Sequence, residues 1–307
     1  MSCVSVIMPN YNHAPFLKER LDSILAQDYP DFEVILLDDA STDNSVAILK
    51  QYTKHPKVKM LIEGKTNSGN TFVQWKRGLK QATGDYIWIA ESDDVAQPSL
   101  LTTLVAAIEQ NDAVLAFCAS QKIDETGAVV YRNNDHRWQH DFCMDGADFV
   151  RQYLLGYSHI CNASAVVFRR DAAEQVEMAE VQQYRASGDR LFWAQLAMNG
   201  KVAYVAQPLN GFRQHTHKVS GSAENQGINM QQDHAIYGRF KDRLGLTHRE
   251  RQLICGYHWQ AIHKTTVSAE GRQKAIEAWG TEKEFNRASY GRYLVHRLME
   301  KTRVLSA

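Results

Sequence analysis

The chain has 307 residues, and its 35 lysines and arginines balance 35 aspartates and glutamates, so the formal net charge is zero. Apolar residues make up 44% and charged residues 23%, the balance of a globular protein with a sizeable core. Neutrality weighs against a dedicated nucleic-acid binder and against an acidic disordered chain.

The first hundred residues alternate cleanly. Cys3–Met8 is a continuous apolar run rich in β-branched residues and ended by Pro9, which predicts a strand buried on both faces. Pro15 suits the first turn of a helix, and Phe16, Leu17, Leu21, Ile24 and Leu25 follow at helical spacing. Phe32–Leu37 predicts a second buried strand. Ser41-Thr42-Asp43 offers caps for a helix carrying Val46, Ile48, Leu49 and Tyr52. Val58–Ile62 predicts a third strand, Thr71–Ala82 a helix ended by Gly84, and Asp85–Ala90 a fourth strand. A helix over Pro98–Gln110 precedes a strand over Ala113–Ala119. This β-α-β order predicts an α/β fold, a parallel sheet with helices on both faces.

Beyond residue 120 the pattern loosens. Ile123–Tyr131 predicts a hairpin around Glu125-Thr126-Gly127. Asp145–Leu155 and Asp189–Met198 read as helices, and Ala163–Phe168 and Val202–Val205 as strands. From about Asn225 three helices are expected: Ile228–Leu244, Arg249–Val267 and Thr281–Val304. The domain reading is 1–224, divided at 112/113, followed by a helical region over 225–307. Five scattered cysteines, Cys3, Cys118, Cys143, Cys161 and Cys255, form no metal-ligand spacing and suit a reduced, cytoplasmic protein. A strand-like run directly after Met1 gives no expectation of a signal peptide, and no apolar stretch approaches the ~18 residues of a membrane span.

Ligands of open α/β sheets collect beyond the carboxyl ends of the strands. Those ends carry Pro9-Asn10-Tyr11-Asn12, Asp38-Asp39-Ala40-Ser41 and Glu91-Ser92-Asp93-Asp94. No glycine-rich phosphate loop follows any strand, which weakens dinucleotide and P-loop readings. Converging carboxylates repel one another and suit a divalent cation, with hard oxygen ligands favouring Mg²⁺ or Mn²⁺ completed by a diphosphate. Turn and helix-cap duty is the bland alternative for either segment alone.

In order along residues 1–220, these segments resemble the family 2 glycosyltransferases, which have the GT-A fold, a Rossmann-like, mostly parallel sheet flanked by helices. Val4–Asn12 is similar to the family's opening strand and Ser23–Gln27 to its first helix. Leu37-Asp38-Asp39-Ala40-Ser41-Thr42-Asp43 is similar to its nucleotide-binding segment. Gly84–Asp94 is similar to the strand leading to its D-x-D motif. Gly188-Asp189 and the helix after it resemble the segment carrying the general base, and Gly211–His215 with Ser220 resembles a later R-x-H…S element.

The resemblance implies that Asp39 bonds the nucleotide base, with Pro9 and Tyr11 beside it. Asp93 and Asp94 meet ribose and metal, Asp94 more directly on the metal, and Asp189 is the catalytic base. Glu91 departs from the family's first acidic position. Asn67–Lys76 lacks the family's arginine, so Lys76 is read as a phosphate contact or a solvated lysine, and Trp75 as core or a sugar platform. His215 and His217 alternate onto one strand face and are candidate metal ligands, and Arg213 pairs with phosphate or in a salt bridge.

The expected activity is inverting, metal-assisted transfer from a nucleotide-diphosphate sugar, UDP-sugar favoured, to a hydroxyl of a glycan or lipid-linked acceptor. By the resemblance, the context is bacterial surface polysaccharide or lipopolysaccharide. The alternatives are a sugar nucleotidyltransferase and a non-catalytic nucleotide-sugar or glycan-binding homologue. Charge is unevenly placed. Residues 1–112 carry 10 basic and 15 acidic groups and residues 246–307 carry 11 and 6. The basic end, with Arg287, Arg292, Arg297, Lys301 and Arg303, is read as a solvated face or as a docking surface for the inner face of an anionic membrane.

Overall fold

A computed structural model describes residues 2–132, 138–215 and 226–305. His217 and Ser220 lie outside the described residues. The chain begins β1 (Val4–Asn10), α1 (Ala14–Leu25), β2 (Phe32–Asp38), α2 (Ser45–Tyr52), β3 (Val58–Glu63), α3 (Thr71–Leu79) and β4 (Tyr86–Ile89). A two-residue β5 (Val95–Ala96) and α4 (Leu100–Asn111) lead to β6 (Ala113–Ile123). The strands β1 to β4 are parallel and lie in the order β3-β2-β1-β4.

Side chains alternate across these strands, so each strand feeds two cores. On one face Val6, Met8, Val34, Leu36 and Trp88 meet Leu17, Leu21 and Ile24 of α1 and Leu100, Leu104 and Ile108 of α4. On the other, Ile7, Ile35, Leu37, Ile87 and Ile89 meet Phe72 and Trp75 of α3. The buried apolar runs are thus central strands covered by helices on both sides.

The sheet is mixed rather than parallel throughout. After the hairpin strand β7 (Val129–Arg132), β8 (Phe142–Asp145) and a short α5 (Gly146–Phe149) that runs into a π-helical turn at Val150–Leu154, a 3₁₀ turn at Ala163–Ala165 opens β9 (Val166–Arg169). β9 inserts between β4 and β6 and runs antiparallel to both. Two short helices, α6 (Arg170–Glu174) and α7 (Met178–Val181), precede α8 (Gly188–Ala197). The expected strand Val202–Val205 is the start of a 13-residue β10 (Lys201–Arg213), parallel to β6. Its register shifts around Pro208, which has no N–H to give a ladder and is tolerated at such a bulge. The bulge hides the alternation that would have marked the second half as strand.

Among the described residues four helices, not three, follow: α9 (Ile228–Lys241), α10 (His248–Lys264), α11 (Ala269–Trp279) and α12 (Arg287–Leu305). Ser268 caps α11 through Gly271 N, and Trp279 ends it fully buried, its Nε1 donating to Met230 O at 2.9 Å. The His258 ring stacks on Trp279 at 4.0 Å and its Nε2 meets Leu155 O at 2.8 Å; burial drives the His258 pKa down to about 3, so it packs as a neutral ring. Ile236, Tyr237, Phe240 and Trp279 belong to the same apolar cluster as Ile7 and Trp75. None of the described helices is long and apolar enough to cross a membrane.

Gly84 does not end α3, which stops at Leu79. A Cβ on Gly84 would lie 2.7 Å from both Cys3 O and Ser5 N, so this glycine allows the chain to enter β4 against the backbone of β1. Gly84→Ala is expected to cost about 1–3 kcal/mol in urea unfolding; a loss below about 0.5 kcal/mol would show that the two backbones part freely.

Candidate active site

The carboxyl ends of β1, β2 and β4 meet at one crevice, and hydrogen bonds sort their acidic residues. Asn10 and Asp38 are register partners. Asp38 accepts from Asn10 Nδ2 at 2.8 Å and from Ser41 N and Oγ at 2.8 and 2.6 Å. These bonds fold the strand end back on itself. Two residues here, Asn12 (φ 53°) and Ala40 (φ 60°), sit in the left-handed region, where alanine carries local strain.

Asp39 faces the other way. It accepts from Ser68 N and Oγ at 3.0 and 2.7 Å and from Gln74 Nε2 at 2.5 Å. A carboxylate has about four lone-pair positions, so these three donors leave room for one more. Pro9 is buried beside this turn in β1, and Tyr11 is 36% exposed at its mouth.

At the end of β4 three carboxyl groups gather over a fully buried Arg20 of α1. The Arg20 guanidinium packs over Trp88 at 4.9 Å and donates from Nη2 to Ser164 Oγ at 3.1 Å. Burial lowers its pKa to about 10, and the nearby Asp94, Asp93 and Glu91 hold it that high. Glu91 accepts from Trp75 Nε1 at 2.9 Å, which places Trp75 in the core as a hydrogen-bond donor. Burial, then the Asp93 charge, push Glu91 up to about 8. The same two causes push Asp94 up to about 7. Asp94 is 1% exposed, and its oxygens accept from Asn162 Nδ2 at 2.7 Å and Arg213 N at 3.0 Å.

Asp93 differs. Burial pushes its pKa up, but the His215 hydrogen bond and the neighbouring His13 outweigh that and hold the carboxyl below its ordinary value. His215 Nε2 lies 3.0 Å from Asp93 Oδ2, while His215 Nδ1 is buried with no hydrogen-bond partner among the described residues. His13, Asp93 and His215 each bring one ligand atom within 4.8 Å of the others. Among the described residues, this is the group that could hold a metal ion; Asp94, expected on the metal, lies outside it.

The donor chemistry fits a divalent cation. If His215 carries its proton on Nε2, a buried lone pair at Nδ1 is left unused. If the proton is on Nδ1, a lone pair faces a carboxylate 3.0 Å away. A cation held between Nε2 and the carboxylate removes the second mismatch, with the proton then on Nδ1.

Arg213 spends four of its five N–H donors within the protein. Fully buried, it donates to the carbonyls of Asp93, Asp124 and Glu125 at 2.7–3.1 Å and to Glu19 Oε2 at 2.5 Å. The salt bridge, of the two roles open to it, is the one formed. Lys76 is half-buried, and its Nζ donates to Gln182 Oε1 at 2.9 Å.

Asp189 stands in the first turn of α8, one residue after Gly188, and Ser187 is the N-cap. Its Oδ1 accepts from Arg190 N at 2.8 Å, and burial raises its pKa against that bond and the Arg190 charge. Two contacts tie this segment to the nucleotide-side loops. Asn70 Nδ2 donates to Gln182 O and Tyr184 O at 2.8 and 3.2 Å, and a Cβ on Gly188 would come 2.4 Å from the Phe72 ring. From the far side, Gln232 Oε1 accepts from Ala186 N and Ser187 N at 2.9 and 3.0 Å, and Asp233 pairs with Arg190 at 3.0 Å.

His13, Arg20, Asn162 and Ser164 are the site residues that sequence reasoning missed. Only His13 left a signal, sitting three residues beyond the Asn10 end of β1.

Comparison with known proteins bears on the family and the fold. The model of glycosyl transferase family 2 matches residues 5–177, more than half of the chain. The chain belongs to glycosyltransferase family 2. This family 2 member is similar to the uncharacterized glycosyltransferase YibD of Escherichia coli (strain K12), 26% identical over 258 residues that cover 82% of this chain and 73% of that one. Its fold is similar to that of S. aureus TarS 1-349 in complex with UDP-GlcNAc, with a TM-score of 0.70, 18% identity, and coverage of 92% and 80%. It is also similar to the mannosyltransferase PcManGT from Pyrobaculum calidifontis in complex with GDP-Man and Mn²⁺, with a TM-score of 0.55, 19% identity, and coverage of 95% and 84%. The sheet with its C-terminal helices is therefore the GT-A fold expected from the sequence.

Removing the charge beneath the acidic cluster tests how the cluster is held. Arg20→Met should destabilise the protein by about 3–5 kcal/mol in urea unfolding, because the three carboxyls lose the buried counter-charge beneath them. A cost under about 1 kcal/mol would show that the hydrogen bonds alone carry them.

Proposed function

We propose that this family 2 member is an inverting, metal-dependent glycosyltransferase that moves a sugar from a UDP-sugar to a hydroxyl of a glycan or lipid-linked acceptor in bacterial surface polysaccharide synthesis. The observation that carries the reading is the placement, beyond the ends of the two strands that flank β1, of an inward acceptor, Asp39, and a metal-capable Asp93–His215 pair. TarS bound to UDP-GlcNAc and PcManGT bound to GDP-Man and Mn²⁺ support a nucleotide-sugar donor and a divalent cation.

Asp39 has only acceptor sites. It therefore favours a base with a ring N–H, which uracil has and cytosine lacks. Pro9 and Tyr11 give that base an apolar edge and a ring. Asp93 and His215 hold the cation, with the ribose beside Asp93. Asp94 serves by fixing Asn162 and the end of β10, and Lys76 has no part in this reading. A divalent cation bound there supplies Lewis acidity for the diphosphate leaving group, without a proton.

Asp189 takes the proton of the attacking hydroxyl. Burial raises its pKa, which makes a more basic carboxylate than one in water. Attack from the face opposite the diphosphate inverts the anomeric carbon in one displacement. Residues 1–112 hold the donor, 113–224 the acceptor, and 225–307 buttress the base.

Asp189→Asn should lower kcat by about 10²–10⁴-fold while leaving donor binding within about twofold. Equal transfer by the variant overturns the base assignment. A thermal-shift panel of UDP-, GDP-, dTDP- and CDP-sugars should show a selective shift with UDP-sugar that EDTA abolishes. No shift with any donor favours a non-catalytic glycan-binding homologue.

We also propose that α12 docks the protein on an anionic membrane surface. Its Val295, Leu298 and Met299 are 51–64% exposed at i, i+3, i+4 spacing, beside Arg292. Flotation with phosphatidylglycerol vesicles should fall several-fold in Leu298→Glu/Met299→Glu; equal flotation removes this docking role.

A further inference from the structure

His13 follows β1 and occupies the N-cap position of α1, yet its side chain makes no cap hydrogen bond. The first free N–H of that helix, on Ala14, goes to Asp43 Oδ2 at 3.0 Å instead. Pro15, in the same turn, has no N–H to satisfy. The imidazole is thus released from the usual duty of its position and turned toward the strand ends.

Contacts with neighbouring elements hold its ring. His13 Nδ1 lies 2.8 Å from Ser92 Oγ, on the loop that carries Asp93. The ring stands edge-on to His215, with centroids 5.4 Å apart at 88°, and to Phe16 at 6.0 Å and 68°. Metal-bound histidines usually have an outer partner on the second ring nitrogen, and Ser92 Oγ is placed to serve as one for His13. The three ligand atoms of His13, Asp93 and His215 lie within 4.8 Å of one another, a span that a single ion can bridge.

We propose that His13 is a third protein ligand of the site's divalent cation, and that two imidazoles with one carboxylate make the site prefer Mn²⁺ over Mg²⁺. The inference rests on the metal-dependent reading above and adds a residue and a selectivity to it. Mg²⁺ is hard, holds its water and favours oxygen ligands. Imidazole nitrogen is a softer donor that suits transition metals. An all-carboxylate set would also bring more negative charge, which favours the harder ion. Here Asp94 and Glu91, the neighbouring carboxyls, are already engaged by Asn162, Arg213 and Trp75. The two histidines take the places that those acids would otherwise fill.

The competing role for His13 is purely structural: it would hold Ser92 and pack against Phe16, with no contact to the ion. Mn²⁺ electron paramagnetic resonance separates the two. Full-length protein is titrated with Mn²⁺ in the presence of UDP, then back-titrated with Mg²⁺. Pulsed spectra of the bound Mn²⁺ should show nitrogen couplings from two imidazoles in the wild type and from one in His13→Gln. His13→Gln should weaken Mn²⁺ binding about 10- to 100-fold and Mg²⁺ binding much less.

His13→Asp, which restores a ligand of the harder kind, should narrow the Mn²⁺-over-Mg²⁺ preference at least tenfold. Thermal unfolding of both variants checks that they are folded. If the folded variants keep the wild-type Mn²⁺/Mg²⁺ ratio within twofold, or if wild-type spectra show a single imidazole, the ligand role of His13 is overturned and the metal reading stands. If the wild type takes up no Mn²⁺ at all, the metal reading falls and this inference with it.

Discussion

Three carboxyl groups packed at the end of one strand repel one another, and the fold is arranged around making that tolerable. Arg20 supplies a buried positive charge from behind, through α1. Trp75 supplies an N–H from α3, Asn162 an amide from the turn before β9, and Arg213 a backbone N–H from the end of β10. Four elements far apart in sequence therefore converge on one four-residue segment. The result is graded: Glu91 and Asp94 are pushed toward the neutral form, while Asp93 is held charged beside His215. A single ionised carboxylate facing the crevice is what a cation site needs. Three ionised ones without a cation would be costly.

Local rules made half of this legible. Continuous β-branched runs gave β1, β2 and β4, because a strand buried on both faces needs no polar residues. Reading the residues just past those runs found Asp39, Asp93 and Asp94, because an open sheet presents its strand ends together. Insertion of β9 between β4 and β6 was not legible, since antiparallel pairing across some eighty residues leaves no local mark. The second half of β10 was hidden by the bulge at Pro208. Helix α11 was missed because AEGRQKAIEAW is mostly polar; its place is set by Trp279, Ala275 and their partners, not by a continuous apolar stripe. Arg20 looks like any helix arginine until the acids that it faces are known.

The C-terminal helices belong to the same argument. Asp189 could be dismissed from sequence as a helix-capping residue, but Ser187 takes that position. What holds the Asp189 turn is α9, through Gln232 on two backbone N–H groups and Asp233 on Arg190. That ion pair is nearly dry, so its geometry is demanding, and the α9 that supplies Asp233 is itself held by Trp279 through Met230 O. On the opposite side Asn70 and Phe72 press the same turn toward the nucleotide-side loops. The Asp189 turn is clamped between α3 and α9.

The two acidic pairs follow one logic. In Asp38-Asp39, the first carboxylate is spent closing the turn onto Asn10 and Ser41, and the second is steered by Ser68 and Gln74 with acceptor capacity left. In Asp93-Asp94, the second is spent on Asn162 and Arg213, and the first is left with His215. Adjacent residues at a strand end point to opposite sides, so a pair lets the chain anchor one side and present the other. This is why a doubled acid is more informative than a single one at such a position. A lone aspartate at a strand end is satisfied by its own turn. A second, held by side chains from another element and still short of its full complement of donors, is placed for something that is not part of the chain.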